Sequence, residues 1–120
     1  MSKREHQCYD YLMRVLGQDY YVFPQVHLDE LLEFPRRNLG MLRHINQKSV
    51  DFVVCDKQNI SPLLAIELDD TSHFLLKREA RDQEVESLFK EAGVHLLRLP
   101  RYNFYTPEQI REKVRGVERI

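Results

Sequence analysis

The sequence predicts an α/β protein: a mixed four-stranded sheet flanked by helices, in the order αβββαβ with a closing helix, as one domain over residues 1–120. Three observations carry that expectation. Four short runs are rich in β-branched and aromatic residues, the composition of strands. The second and third runs are separated by a hairpin-length turn, whereas the third and fourth are separated by a helix-length segment, which calls for a parallel, right-handed crossover. Hydrophobic residues at 42% and charged residues at 31% fit one packed core and exclude a disordered chain.

In chain order, residues 3–16 place Tyr9, Leu12, Met13 and Leu16 at helical spacing, with Gly17 as the stop. YYVFPQVHL, 20–28, reads as a strand, and Pro24 puts it near an edge or a bulge. Residues 29–49 read as a short helix followed by a basic connection. VDFVVCD, 50–56, and LLAIELDD, 63–70, are the second and third strands around the turn KQNISP. Val85, Leu88, Phe89 and Ala92 mark a helix face that ends at Gly93, and VHLLRLP, 94–100, is the fourth strand. Thr106-Pro107-Glu108-Gln109 then supplies an N-cap, a first-turn proline and a capping-box glutamine for a helix carrying Ile110, Val114 and Val117.

Several classes are excluded or disfavoured. No apolar run reaches membrane-spanning length and the first residues show no signal-peptide core, so a cytoplasmic protein without a membrane partner is expected. Cys8 and Cys55 match no metal or redox spacing and read as reduced core residues. A net charge of -1 gives no global steering toward nucleic acid, so any such contact needs local clusters of Lys and Arg.

The chemical signal is a concentration of acids at the end of a buried run. Strand alternation sets Ile66 and Leu68 on one side, Glu67 and Asp69 on the other. If the hairpin is symmetric about Asn59, paired residue numbers add to 118 and Asp51 lies across from Glu67, with Cβ atoms about 5 Å apart. Two carboxylates at that separation repel by roughly 3 kcal/mol at an effective dielectric near 20. A divalent cation, a neighbouring arginine such as Arg78, Arg81 or Arg98, or a retained proton would each relieve this. Hard oxygen donors suit Mg²⁺ or Mn²⁺ better than zinc.

Asp51, then Glu67-Leu68-Asp69, framed by this element order, resembles the PD-(D/E)xK nuclease superfamily, the restriction-endonuclease-like fold. More closely, Val50-Asp51-Phe52, Ile66-Glu67-Leu68-Asp69-Asp70 with His73, Arg81-Asp82 and Ala92-Gly93-Val94 are similar to a bacterial domain of unknown function grouped near the Vsr-like endonucleases. The resemblance covers nearly the whole chain. It implies a metal-dependent endonuclease hydrolysing phosphodiester bonds, with DNA as the expected substrate, in repair, restriction or defence. It makes Asp51 and Glu67 the principal ligands of Mg²⁺ or Mn²⁺, with the Leu68 carbonyl and Glu5 as further ligands. Asp69 stands where such nucleases usually carry a lysine and becomes a further ligand, and His73 becomes the candidate base or leaving-group acid. Gln25 is a candidate for orienting water or substrate, or for meeting a neighbouring backbone, and Asp70 completes the acidic motif.

Nucleic-acid contacts are expected from Arg36, Arg37, Arg43 and Lys48 in the basic connection, and from Lys77, Arg78 and Arg81 beyond the acids. Solvated charged faces, with Arg78 and Asp82 as an i,i+4 pair, are the plain alternative for these cations. Tyr102, Phe104 and Tyr105 could stack on bases, although packing suits them better. Nucleases of this fold often pair to cut two strands, so a homodimer, or fusion to other DNA-processing domains, is compatible with the resemblance. The competing function is a catalytically inactive module of the same fold that binds nucleic acid or a protein partner.

Overall fold

In a computed structural model the chain is described over residues 2–31, 49–68, 87, 89–99 and 105–118. The first helix, α1, spans Lys3–Leu16, and strand β1, Tyr20–His27, follows it. A single turn of helix, α2, covers Leu28–Leu31. Strands β2, Ser49–Asp56, and β3, Pro62–Leu68, form the hairpin; β4 is His95–Leu99, and the closing helix α3 is Pro107–Glu118. The sheet order is β1-β2-β3-β4, with β1–β2 and β2–β3 antiparallel and β3–β4 parallel. This is the mixed four-stranded sheet that the sequence predicts, including the parallel crossover, and β1 is the edge strand that Pro24 requires.

Local chemistry explains the ends of the elements. The Ser2 hydroxyl accepts from Glu5 N–H at 3.2 Å and opens α1 as its N-cap. At Gly17 the chain turns back so tightly that a Cβ would collide with the Met13 carbonyl oxygen. The reciprocal capping box of α3 is fully formed: Thr106 N–H donates to Gln109 Oε1 at 2.9 Å, and Gln109 N–H to Thr106 Oγ1 at 3.2 Å. Gly93, with φ of 76°, ends the helical residues 89–92 in the left-handed conformation that favours glycine.

The sheet separates two apolar layers. On one face Cys8, Leu12 and Leu16 of α1 and Ile110 and Val114 of α3 pack against Val22, Phe52, Val54, Leu64, Ile66 and Leu99. On the other, Leu28, Phe89 and Val94 cover Val50, Val53, Cys55 and Ala65. Both cysteines are free and buried, as expected. Two expected core positions differ. The buried stripe of α1 runs through Cys8, Leu12 and Leu16, leaving Met13 39% exposed, because the helix turns its four-residue ridge to the sheet. Ala92 is exposed rather than packed, since the helix is already ending there.

The β2–β3 register pairs Phe52 with Ile66, Val53 with Ala65 and Val54 with Leu64, the pairing expected from the hairpin. It slips at Cys55, which pairs with Pro62, so the turn itself is not symmetric about Asn59. Two details show how the irregular turn is held: Asn59 N–H donates to Asp56 Oδ1 at 2.6 Å, and Ile60 adopts a left-handed φ of 55°. The slip is absorbed near the turn and leaves the pairing from Val54 to Phe52 intact.

Candidate functional site

Five segments end on the same side of the sheet: the N-terminus of α1, the C-terminal part of β1, the start of β2 and the ends of β3 and β4. Each brings one or two polar side chains. The pairs Pro24↔Phe52 and Val26↔Val50 bracket Gln25 and Asp51, which therefore stand opposite each other on β1 and β2. The last β2–β3 pair at this end is Phe52↔Ile66, and Asp51 and Glu67 are the next residues of their strands. Glu67 in turn is the parallel partner of Arg98 on β4.

The backbone is distorted where the acids begin. Gln25 has a left-handed φ of 49°, uncommon for a residue with a Cβ. Around it the alternation of the strands slips: Val50 packs into the same layer as Val53, although they are three positions apart. Rather than pointing at a neighbouring backbone, Gln25 donates its Nε2–H to Glu5 Oε2 at 3.1 Å and links β1 to the start of α1. The other oxygen of Glu5, Oε1, accepts from the Ser2 hydroxyl at 3.2 Å. Glu5 is thus part of the helix cap, a role signalled by the Ser2-x-x-Glu5 spacing.

Asp51 is half-buried and its Oδ2 accepts the Leu68 backbone N–H at 2.7 Å. The side chain takes over just beyond the last paired residues of the hairpin and fixes the end of β3 against β2. A charged acceptor makes this a strong bond, and its loss would strand a partly buried N–H. Glu67 and Leu68 are half-buried as well. Leu68 packs its side chain on the first apolar layer, while Ala65 belongs to the second; Glu67 therefore faces the second layer, as strand alternation predicts.

Two arginines accompany the acids. The Nη2 atoms of both Arg4 and Arg98 are buried. Arg4, Asp51, Glu67 and Arg98 are all engaged in interactions within the fold. Burial pushes the Cys8 thiol up to about 11, while Arg4 pulls it down and Asp51 adds to the rise. Both charges therefore act on the same turn of α1. Arg4 escapes a reading of the sequence, yet a signal exists: it stands four residues before Cys8 and continues the buried Cys8–Leu12–Leu16 ridge.

Asp69, Asp70, His73, Lys77, Arg78 and Arg81 lie outside the described residues, as do Arg36, Arg37, Arg43 and Lys48 and the aromatic pair Tyr102 and Phe104. Tyr105 is described and packs against the core; its carbonyl accepts the Tyr11 hydroxyl at 2.7 Å. Among the described residues no group of three or more His, Cys, Asp or Glu side chains is arranged to hold a metal ion. The candidate donors among the described residues are the Asp51, Glu67 and Glu5 carboxylates and the Leu68 carbonyl, with Glu5 also bonded to Ser2 and Gln25. Such a set fits Mg²⁺, which is commonly held by one or two carboxylates together with water and substrate oxygens.

A family model described as a protein of unknown function, DUF2726, matches residues 1–117. The chain belongs to the DUF2726 family. That membership agrees with the resemblance to a domain of unknown function and assigns no activity. No curated protein and no solved structure matches the chain. No helix of the described DUF2726 residues is long and apolar enough to cross a membrane.

Proposed function

We propose that this domain is a metal-dependent nuclease of the PD-(D/E)xK type that hydrolyses phosphodiester bonds, with DNA as the favoured substrate. The observation that supports it is the pairing of β2 with β3, which brings Asp51 and Glu67 to the same end of adjacent strands. Asp51 and Glu67, with the Leu68 carbonyl, would hold Mg²⁺ or Mn²⁺. The bond from Leu68 N–H does not exhaust Asp51, because a carboxylate offers about four lone-pair sites. When bound, the cation supplies an acidified water and neutralises charge on the phosphate. Asp69 and His73 complete the proposal as a further ligand and a general acid or base, and the basic segments around Arg36–Arg43 and Lys77–Arg81 would hold the strand.

The test is cleavage of plasmid and single-stranded DNA with Mg²⁺ or Mn²⁺, comparing wild type with Asp51→Asn and Glu67→Gln. Cleavage by the wild type and a loss of at least about a hundredfold in both variants is expected for residues acting on the reaction's charge. A second reading, an inactive module that binds nucleic acid or protein, is favoured by one observation: Asp51 already has a structural task in holding Leu68. DNA binding without cleavage over both substrates and both metals would select that reading.

A further inference from the structure

We propose that Arg98 is a resident positive charge of this site, resting on the nuclease reading above: its guanidinium, delivered by β4, lies beside Glu67 and meets the phosphate of a bound strand. Parallel partners point their side chains to the same face, and Glu67↔Arg98 is such a pair. The neighbouring residues agree. Leu97 and Leu99 pack on the first apolar layer with Ile66 and Leu68, and Leu96 and Ala65 on the second, so Glu67 and Arg98 share the second face. The guanidinium is anchored, since Arg98 is half-buried and its Nη2 fully so.

The run of acids around Glu67 gives this arginine a task. After Glu67 the sequence runs Leu68, Asp69 and Asp70, which adds acids and no cation. Acids alone repel an approaching phosphate, so a neighbouring element must supply positive charge, as α1 does with Arg4. β4 does so by register, one strand away. Arginine suits both tasks, because a planar fork with five donors can bind a carboxylate on one edge and a phosphate oxygen on another.

The experiment compares wild type with Arg98→Met, Arg98→Gln and Arg98→Lys, each checked for folding by circular dichroism. Isothermal titration with Mn²⁺ at pH 8 and DNA cleavage are the two readouts. Removing a unit charge beside the acids should tighten Mn²⁺ binding on the order of tenfold. Cleavage should fall at least about a hundredfold in the same variants, with Arg98→Lys close to wild type for Mn²⁺ and intermediate for cleavage. A purely structural arginine would weaken metal binding when removed, not tighten it. Any other pattern from a folded neutral variant overturns the proposal. If Asp51→Asn and Glu67→Gln abolish cleavage while the Arg98 variants match wild type, Arg98 alone is misassigned. If the two acid variants match wild type in both readouts, the nuclease reading falls and takes this inference with it.

Discussion

Asp51 has one observed role and one proposed role, and a pair of substitutions can separate them. As a clasp it accepts the Leu68 N–H, and as a ligand it would bind a cation. Asp51→Ala should cost about 1–3 kcal/mol, because it strands that N–H. Asp51→Asn keeps an acceptor oxygen, so it should recover most of the loss in urea unfolding while leaving metal binding impaired. Removing this acid therefore destabilises the protein, although carboxylate repulsion alone would predict relief. Cys8 gives the second prediction at this scale. Its thiol stays neutral in the folded protein to about pH 11, whereas in the unfolded chain it ionises in the ordinary thiol range. The unfolded state thus loses its proton first. The stabilisation is complete below that range and is lost as the pH rises toward 11. Burial also raises Cys55 and Tyr11, so Cys8→Ala should flatten only part of the alkaline decline in melting temperature.

The elements succeed or fail by their ends. The capping box of α3 satisfies two backbone N–H groups by exchange between Thr106 and Gln109, and Thr106→Ala should cost about 1 kcal/mol. The hairpin turn presents the reverse case. Ile60 is 57% exposed and held at a φ of 55°, where a β-branched side chain is strained. Asparagine tolerates that conformation, and the exposed isoleucine buries little, so Ile60→Asn should stabilise by about 1 kcal/mol. A shift of the urea midpoint without a change in slope would verify it. At the opposite end of the sheet Gln25 is also left-handed, but its side chain ties β1 to Glu5. There the strained backbone accompanies a specific contact between two elements.

For the whole molecule, binding of a cation at the acidic end of the sheet should be visible as stability. A ligand bound by the folded state alone and present at a hundred times its dissociation constant adds about 2.7 kcal/mol. Mn²⁺ should therefore raise the melting temperature of wild type by several degrees and leave Glu67→Gln unchanged, a difference that a thermal scan with and without EDTA would reveal. Element order, the α3 capping box and the hairpin pairing were legible from local chemistry alone: a cap is four residues long, and a hairpin's register follows from its neighbours. Half of the candidate site was legible for the same reason, since Asp51 and Glu67 belong to one hairpin. The rest depends on elements far apart in the chain. Only the packed fold could bring Glu5 to Gln25, set Arg4 and Asp51 around Cys8, and bind Asp51 to the Leu68 backbone. The placement of Arg98 beside Glu67 belongs there too, because a parallel crossover has no short turn to fix its register and takes it from how the layers fill. The sequence by itself determined which segments become strands and which carboxylates share a hairpin; tertiary structure decided which of their oxygens are already bonded and where positive charge stands.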